Sequence, residues 1–409
     1  MSRLKHILRR SLASFSIRSF RFQFSADVLS TLGFEMETLI LGWYILIETD
    51  SAFFLALVGA LRFGGTLISP LVGVLIDRVS RRQVMIGMRC VLALIASCII
   101  FADLGGVLGP SVVLCIAGLS GLLRPAEHIV RNALIGDTVP QRLLPNAVGF
   151  SRTTSDTARI FGALTGAGLL ASVGIGPAYI VVTFMYITAV ALTFGITNLP
   201  PRADAKEAAA LRDLATGFRY IKGTPVLLIT MYLAVLANLT AFPLTHGLLP
   251  AVARDVYGLD EIGLAQMAAL AATGSLVGSL MVAGLMRSER AHVFMLIGLV
   301  VWHALVVAFA LVPPSSVGWA ILAFVGVFSS AAMTTMAVLL LHRTAPELRG
   351  RVMGIRMLAV YGLPVGLMIA GVLIDRFGVI VTLLGYGTAG LIPAVWVALR
   401  WHALTQSSH

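Results

Sequence analysis

Charge is scarce in this chain. Of 409 residues only 12% are Asp, Glu, Lys or Arg, about half the ~25% of a soluble domain. With 58% apolar residues and a mean hydropathy of +0.93, too little polar side chain remains to cover a water-soluble fold. That excludes a soluble enzyme and a disordered chain. Cysteine is nearly absent. Cys90, Cys98 and Cys115 are odd in number and lack paired spacing, which excludes a disulfide framework or a thiolate metal site. Inside apolar runs, they read as small buried packing residues. No G-x-x-x-x-G-K-[ST] phosphate cradle and no G-x-S-x-G elbow occurs, and the eight His have no Cys, Glu or His at metal spacing. The sequence therefore points to no cofactor, no metal, no catalytic residues and no enzyme.

What is abundant is long apolar sequence. A helix needs about 20 apolar residues to cross a bilayer, and twelve stretches qualify: 25–47, 53–76, 83–103, 107–129, 146–172, 177–198, 224–248, 262–286, 292–312, 317–341, 352–374 and 379–400. They are too long and too uniformly apolar for strands, and lipid offers no partner to bare backbone groups, so each reads as a helix. The basic residues give the orientation. The N-terminal tail (Arg3 to Arg21), Arg78, Arg81, Arg82, Arg131, Arg142, the central segment (Arg202 to Lys222), Arg287, Arg290, Arg343, Arg349, Arg351 and Arg400 all fall on one side. Only Arg254 and Arg376 fall on the other. Both termini are thus expected in the cytoplasm. The formal charge of +11 is spent on orientation and anionic lipid rather than on nucleic acid.

Four boundaries follow. Residues 1–24 form a basic amphipathic cytoplasmic tail, with Leu4, Ile7, Leu8 and Leu12 on one face. It reads as an interfacial helix, although a mitochondrial transit peptide shares the same Arg/Ser-rich look. Residues 25–198 form a first six-helix bundle. Residues 199–223 form a cytoplasmic linker whose Leu211, Leu214, Phe218 and Ile221 recur at helical spacing, the pattern of a surface helix. Residues 224–400 form a second bundle, and 401–409 a tail. The halves look duplicated. Asp137-Thr138-Val139-Pro140-Gln141-Arg142 is echoed by Arg343-Thr344-Ala345-Pro346-Glu347-Leu348-Arg349, and the helix after each carries paired glycines, Gly162/Gly166 and Gly362/Gly366. Paired halves around a midplane site are the architecture of alternating-access carriers.

Between the second and third stretches stands Gly73-Val74-Leu75-Ile76-Asp77-Arg78-Val79-Ser80-Arg81-Arg82. It resembles the G-x-x-x-D-R-x-G-R-R signature of the major facilitator superfamily, with Ser80 in the place of a usual Gly. Gly73 lets two helices approach, Asp77 can face a helix N-terminus or an Arg, and Arg78, Arg81 and Arg82 can hold carboxylates or lipid phosphates. Asp137 is the expected partner of Arg81 or Arg82. The resemblance implies a conformational latch at this turn. The counterpart, Gly284 to Arg290, is degenerate. The stretch from Arg131 to Asn146, followed by Arg159 to Gly166, is similar to the enterobactin-exporter and macrolide-efflux branch. Ala163 stands where drug/proton antiporters carry Pro after the glycine.

Ionisable residues inside the apolar stretches are the sharpest clues, because each is costly to keep in lipid. On the first helix Asp27, Thr31, Glu35, Thr38 and Gly42 share an arc of roughly 80°, and Glu37 points elsewhere. Asp27 lies near the cytoplasmic end, where water can reach it. By depth, Glu35, Glu37, Arg62, Asp156 and Arg159 share one middle zone of the first half. Three carboxylates against two guanidiniums leave one carboxylate able to exchange a proton, with Glu35 or Glu37 as that group and Arg62 or Arg159 as the responding charge. The alternative is a static ion-pair network that braces the half. The second half has no central carboxylate. It offers Asn238, Thr240, His246, Gln266, Thr273, Ser329, Ser330, Thr334 and Thr335, which could orient a substrate or bond back to their own helices. His303 reads as a packed residue. The tentative cavity set is Asp27, Thr31, Thr38, Asn238 and Thr334.

The expectation is an all-α integral membrane protein with twelve transmembrane helices in two pseudo-symmetric six-helix bundles. Its function is expected to be proton-coupled export of amphipathic small molecules (a drug, siderophore or related metabolite) by a monomer in a bacterial inner membrane. Its partners would be substrate, proton and membrane lipid. A lipid or lysolipid flippase, or a uniporter of the same fold, is the alternative.

Overall fold

The computed structural model describes residues 13–66, 80–198, 216–285, 290–345 and 348–406; the side chain of Asp156 is outside that description. Among the described residues the secondary structure is helical throughout, without a strand. In chain order the helices are α1 (Arg18–Thr49), α2 (Ala52–Arg62), α3 (Arg81–Leu104), α4 (Pro110–Thr138), α5 (Leu144–Val173), α6 (Ile175–Thr193), α7 (Pro225–Thr240), α8 (Glu261–Leu285), α9 (Ala291–Leu311), α10 (Ser316–Arg343), α11 (Arg349–Leu358) and α12 (Gly362–Gln406). Eight helices among the described residues are long and apolar enough to cross a membrane. The last of them runs over Arg349–Trp401, 53 residues, or about 80 Å of helix, more than twice the ~30 Å of hydrocarbon. It has to bend, and it does so at Gly378, where φ is +81° and ψ is 167°. That conformation excludes a side chain with a Cβ. Gly174, with φ +82° and ψ −179°, makes the same turn between α5 and α6.

The chain packs as two compact units. One comprises residues 1–44 and 67–205; the other comprises 45–66 and 206–409. In the first unit α3 packs on α6 and α4, and α5 packs on α6 and α4. In the second, α9 packs on α12 and α10, α8 on α10, and α7 and α2 both on α12. α2 follows α1 in sequence but joins the second unit, because its partner is α12.

The glycine pairs explain how the helices of each unit come together. A Cβ on Gly162 would meet Glu35 Cβ at 2.7 Å and the Leu32 carbonyl at 3.1 Å, and one on Gly166 would meet Met36 Cα at 3.0 Å. α5 therefore lies directly on the backbone of α1. In the second unit a Cβ on Gly362 would meet the Val235 carbonyl at 2.9 Å, and Gly366 abuts Leu239, so α12 lies on α7 in the same way. Each unit also buries a tyrosine near its pair: Tyr186 donates to Glu37 at 3.2 Å, and Tyr386 donates to the Gly366 carbonyl at 2.5 Å.

One expectation changes, and two segments gain contacts. The cysteines are exposed on the outer faces of their helices rather than buried, because an apolar neighbourhood in a membrane helix includes its lipid face. Residues 13–24 are pinned to the first unit. Ser14 donates to Asn146 at 2.6 Å, Ser19 bonds Thr197 at 2.7 Å, and Phe15 lies edge-on to Phe20, Phe24 and Phe150. In the linker, residues 216–222 are helical and Ile221 is buried with Leu227, Met231, Leu340 and Val352; Leu211 and Leu214 lie outside the described residues.

Candidate functional site

The densest set of buried charges lies in the first unit, where α1, α3, α4 and α6 meet. Arg89 of α3 is fully buried. It pairs with Asp27 of α1, reaches Glu127 of α4 at 3.3 Å and donates to Thr193 of α6 at 2.5 Å. Glu127 also accepts from Arg124 at 2.6 Å, one turn earlier on α4, and from Ser30 of α1 at 2.8 Å. Arg124 lies over the ring of Phe34, 4.3 Å from its centre. Two carboxylates and two guanidiniums thus alternate along a chain, Asp27–Arg89–Glu127–Arg124, which is how charges survive without water. Arg131, one turn further along α4, donates to His128 Nδ1 at 2.9 Å, and Gln23 donates to the Arg131 carbonyl at 3.0 Å. Pro125 sits between Arg124 and Glu127 and removes a helical hydrogen bond where the charges gather.

Asp27 is 4% exposed and ion-paired, which corrects the reading that water reaches it. Thr31 is buried, and its hydroxyl makes no hydrogen bond among the described residues. Thr38 bonds back to the Phe34 carbonyl at 2.7 Å. Glu37 is 1% exposed and accepts from Tyr186. Glu35 is half-buried, under Gly162; among the described residues it has no ion pair. Arg159 is half-buried one turn before Gly162 on α5. Arg62, at the end of α2, is buried in the second unit. Glu35 belongs to the first unit and Arg62 to the second.

Where α3 begins and α4 ends in the same unit, Arg81 pairs with Asp137 at 2.5 Å and donates to the Ala133 carbonyl at 3.3 Å. Arg82 donates to the Phe194 carbonyl at 2.7 Å and lies against that ring. Ser80 donates to Asn198. These contacts tie α3, α4 and α6 together inside one unit. Gly73, Asp77 and Arg78 lie outside the described residues.

The second unit is built differently. α7 is interrupted after Thr240 and continues as two π-turns, Leu244–Leu248 and Val252–Val256, with Pro243 and Pro250 at the breaks. Such turns free backbone groups and often mark functional sites. His303 is buried; its Nδ1 donates to the Leu299 carbonyl at 2.8 Å and its Nε2 bonds Thr240 at 3.0 Å. Asn238, Ser329 and Thr335 bond to carbonyls of their own helices, the structural alternative for these groups. Thr334 keeps a buried hydroxyl with no bond among the described residues.

Sequence reasoning left Arg89, Arg124 and Glu127 unassigned. The signal was present: an acid and a base three residues apart inside one apolar stretch (Arg124 and Glu127), and an Arg inside the stretch before it (Arg89). Among the described residues no cluster of His, Cys, Asp or Glu could hold a metal.

Comparison with known proteins agrees with this architecture. The family profile of the Major Facilitator Superfamily matches residues 24–367. The multidrug efflux pump Tap of Mycobacterium tuberculosis is 25% identical over 405 residues, covering 93% of each chain. Macrolide efflux protein A of Streptococcus pyogenes is 22% identical over 348 residues, covering 82% of this chain and 84% of its own. Among solved structures, a bacterial homologue of the human lysosomal transporter Spinster superposes with a TM-score of 0.71 at 15% identity, over 95% of this chain and 96% of that one. A profile matched over most of the length, on a helical fold shared with transporters, establishes that this chain belongs to the major facilitator superfamily.

Proposed function

We propose that the protein is a proton-coupled exporter of amphipathic small molecules. Twelve transmembrane helices in two bundles would expose a central cavity alternately to each face of a bacterial inner membrane, with both termini in the cytoplasm. Export follows the two efflux relatives, one of macrolides and one of multiple drugs. The single observation that carries the coupling is the unequal treatment of acids in the first unit. Asp27 and Glu127 are neutralised by Arg89 and Arg124, whereas Glu35 has no ion pair among the described residues. A carboxylate outside any ion pair among the described residues, at membrane depth, is the group suited to exchange a proton. Glu37, held by Tyr186, is the second candidate. Arg159, near Glu35 on α5, and Arg62 are the responding charges, with Asp156 assigned from sequence alone. Thr31, Thr38, Asn238 and Thr334 would line the substrate path. Gly73, Asp77, Arg78, Arg81, Arg82 and Asp137 would set the cytoplasmic latch.

The test uses proteoliposomes and ethidium as the amphipathic cation. The proposal expects ethidium movement driven by an imposed pH gradient, abolished by a protonophore and by Glu35→Gln. Movement that persists without a gradient in both proteins would make it a uniporter. Translocation of a fluorescent lysolipid, with no ethidium movement, would favour a flippase.

A further inference from the structure

The hexapeptide Gly73-Val74-Leu75-Ile76-Asp77-Arg78 occurs twice. Gly371-Val372-Leu373-Ile374-Asp375-Arg376 repeats it letter for letter. The first copy follows the α2 stretch and lies outside the described residues. The second ends the first arm of α12 and is fully described.

At the second copy every residue type does what its chemistry allows. A Cβ on Gly371 would meet Ala56 Cβ at 2.7 Å and Phe53 Cα at 2.9 Å, so α12 rests on the backbone of α2. One turn later Asp375 reaches the N-terminus of α2. Its Oδ1 accepts from the Ala52 N–H at 2.8 Å; its Oδ2 accepts from the Phe53 N–H at 3.3 Å and the Ser51 hydroxyl at 2.9 Å. Ser51 is the N-cap residue of α2, yet its side chain makes no capping bond. The cap comes instead from a carboxylate more than 300 residues away in sequence, placed where the helix dipole favours negative charge.

A second clamp holds the same corner. Arg254, in the π-turn Val252–Val256, pairs with Asp50 at 3.0 Å and donates to the Leu46 carbonyl at 2.9 Å, in the last turn of α1. Asp50 has φ +48°, the only positive φ of a non-glycine among the described residues, so the corner is held in a backbone conformation that L residues disfavour. An open cleft of about 660 Å³ borders the clamp, leaving it reachable by solvent.

The corner belongs by sequence to the first half and by packing to the second unit. α1 is unbroken from Arg18 to Thr49, yet the division between units falls within it, at Tyr44 and Ile45. Since α1 crosses the membrane once, the corner lies on the face opposite the start of α1 at Arg18. We infer that the second copy is an outer latch: Asp375 on the N-terminus of α2, with Arg254 on Asp50 and Leu46, holds the α1–α2 corner to the second unit in one state and releases it in the other. This inference rests on the alternating-access reading.

The experiment measures distances by electron resonance between spin-label pairs in the purified full chain in lipid nanodiscs. Cys90, Cys98 and Cys115 are replaced by Ser. The outer pair is Glu48→Cys with Phe377→Cys, and the inner pair is Arg142→Cys with His342→Cys. Asp375→Ala, Asp375→Asn and Arg254→Gln are compared with the parent, the Asn variant keeping the shape of the side chain. The latch predicts that all three raise the long-distance fraction of the outer pair, by about fivefold for Asp375→Ala, the size of losing one helix cap, while the inner pair shortens. Unchanged distances in Asp375→Ala and Arg254→Gln overturn the latch and leave alternating access standing. A longer outer pair with an unchanged inner pair also overturns it, since the contact is then only a local cap. A parent that shows one distance in each pair, with and without ethidium at acid and alkaline pH, overturns alternating access itself.

Discussion

The two units share a plan and differ in what they bury. Both lay a glycine pair of one helix on the backbone of another, both turn a corner on a glycine at φ near +80°, and both bury a tyrosine beside the pair. In the first unit an unbroken α1 carries acids into a network with Arg89, Arg124 and Glu127. In the second, the helix in the equivalent place, α7, runs into π-turns after Thr240, whose hydroxyl bonds His303, and the charge those turns carry, Arg254, pairs with Asp50 just past α1. The scaffold is repeated; the chemistry is not. A duplicated fold can thus gather its buried ion pairs in one unit and its backbone irregularity in the other.

The comparison breaks most visibly at Arg89. Arg89→Leu strands Asp27 and Glu127, and the expected cost is about 3–5 kcal/mol, read as a large fall in melting temperature of the detergent-purified protein. If Arg89→Leu melts with the parent, the network is not what holds the first unit. Gly162→Val and Gly366→Val drive side chains into the facing backbone, and each should cost about 1–3 kcal/mol. Similar losses in the same melting assay would sharpen the case for one repeated crossing, and a loss in only one unit would undo it. Thr240→Val should cost about 1 kcal/mol by stripping His303 of a partner, well below the Arg89 effect; an equal effect would erase the contrast between ionic and neutral cores. The smallest change is expected at Cys90, Cys98 and Cys115. Replacing all three with Ser on exposed faces should shift each site by no more than about 0.5 kcal/mol, and a membrane-soluble maleimide should label all three.

Much of this was legible in the sequence, for a physical reason. Lipid forces helix wherever apolar residues persist, so the positions of α3 to α6 and α8 to α10 follow from composition. The glycine pairs were legible because only glycine permits backbone-on-backbone contact, and the duplication because both hinges keep a Thr two residues before a Pro, Thr138/Pro140 and Thr344/Pro346. Asp137 could be placed near Arg81 because both end helices on one face. Burial was not legible at the cysteines, since half of a membrane helix faces lipid. Arg89, Arg124 and Glu127 were overlooked because no spacing within a single helix reveals that α1, α3, α4 and α6 converge. The π-turns of α7 left only Pro243 and Pro250 as a trace, and proline alone does not distinguish a kink from a π-turn. The docking of α2 on α12 depends on a contact between residues distant in sequence, hinted at only by the repeated hexapeptide.

The division of labour between the units is tested most directly by counting protons released when ethidium binds to the purified protein, using a pH indicator in weakly buffered detergent solution. The account predicts release by the parent and by His303→Gln, and none by Glu35→Gln. Release that survives Glu35→Gln and disappears in His303→Gln would contradict it, placing the exchangeable proton in the second unit.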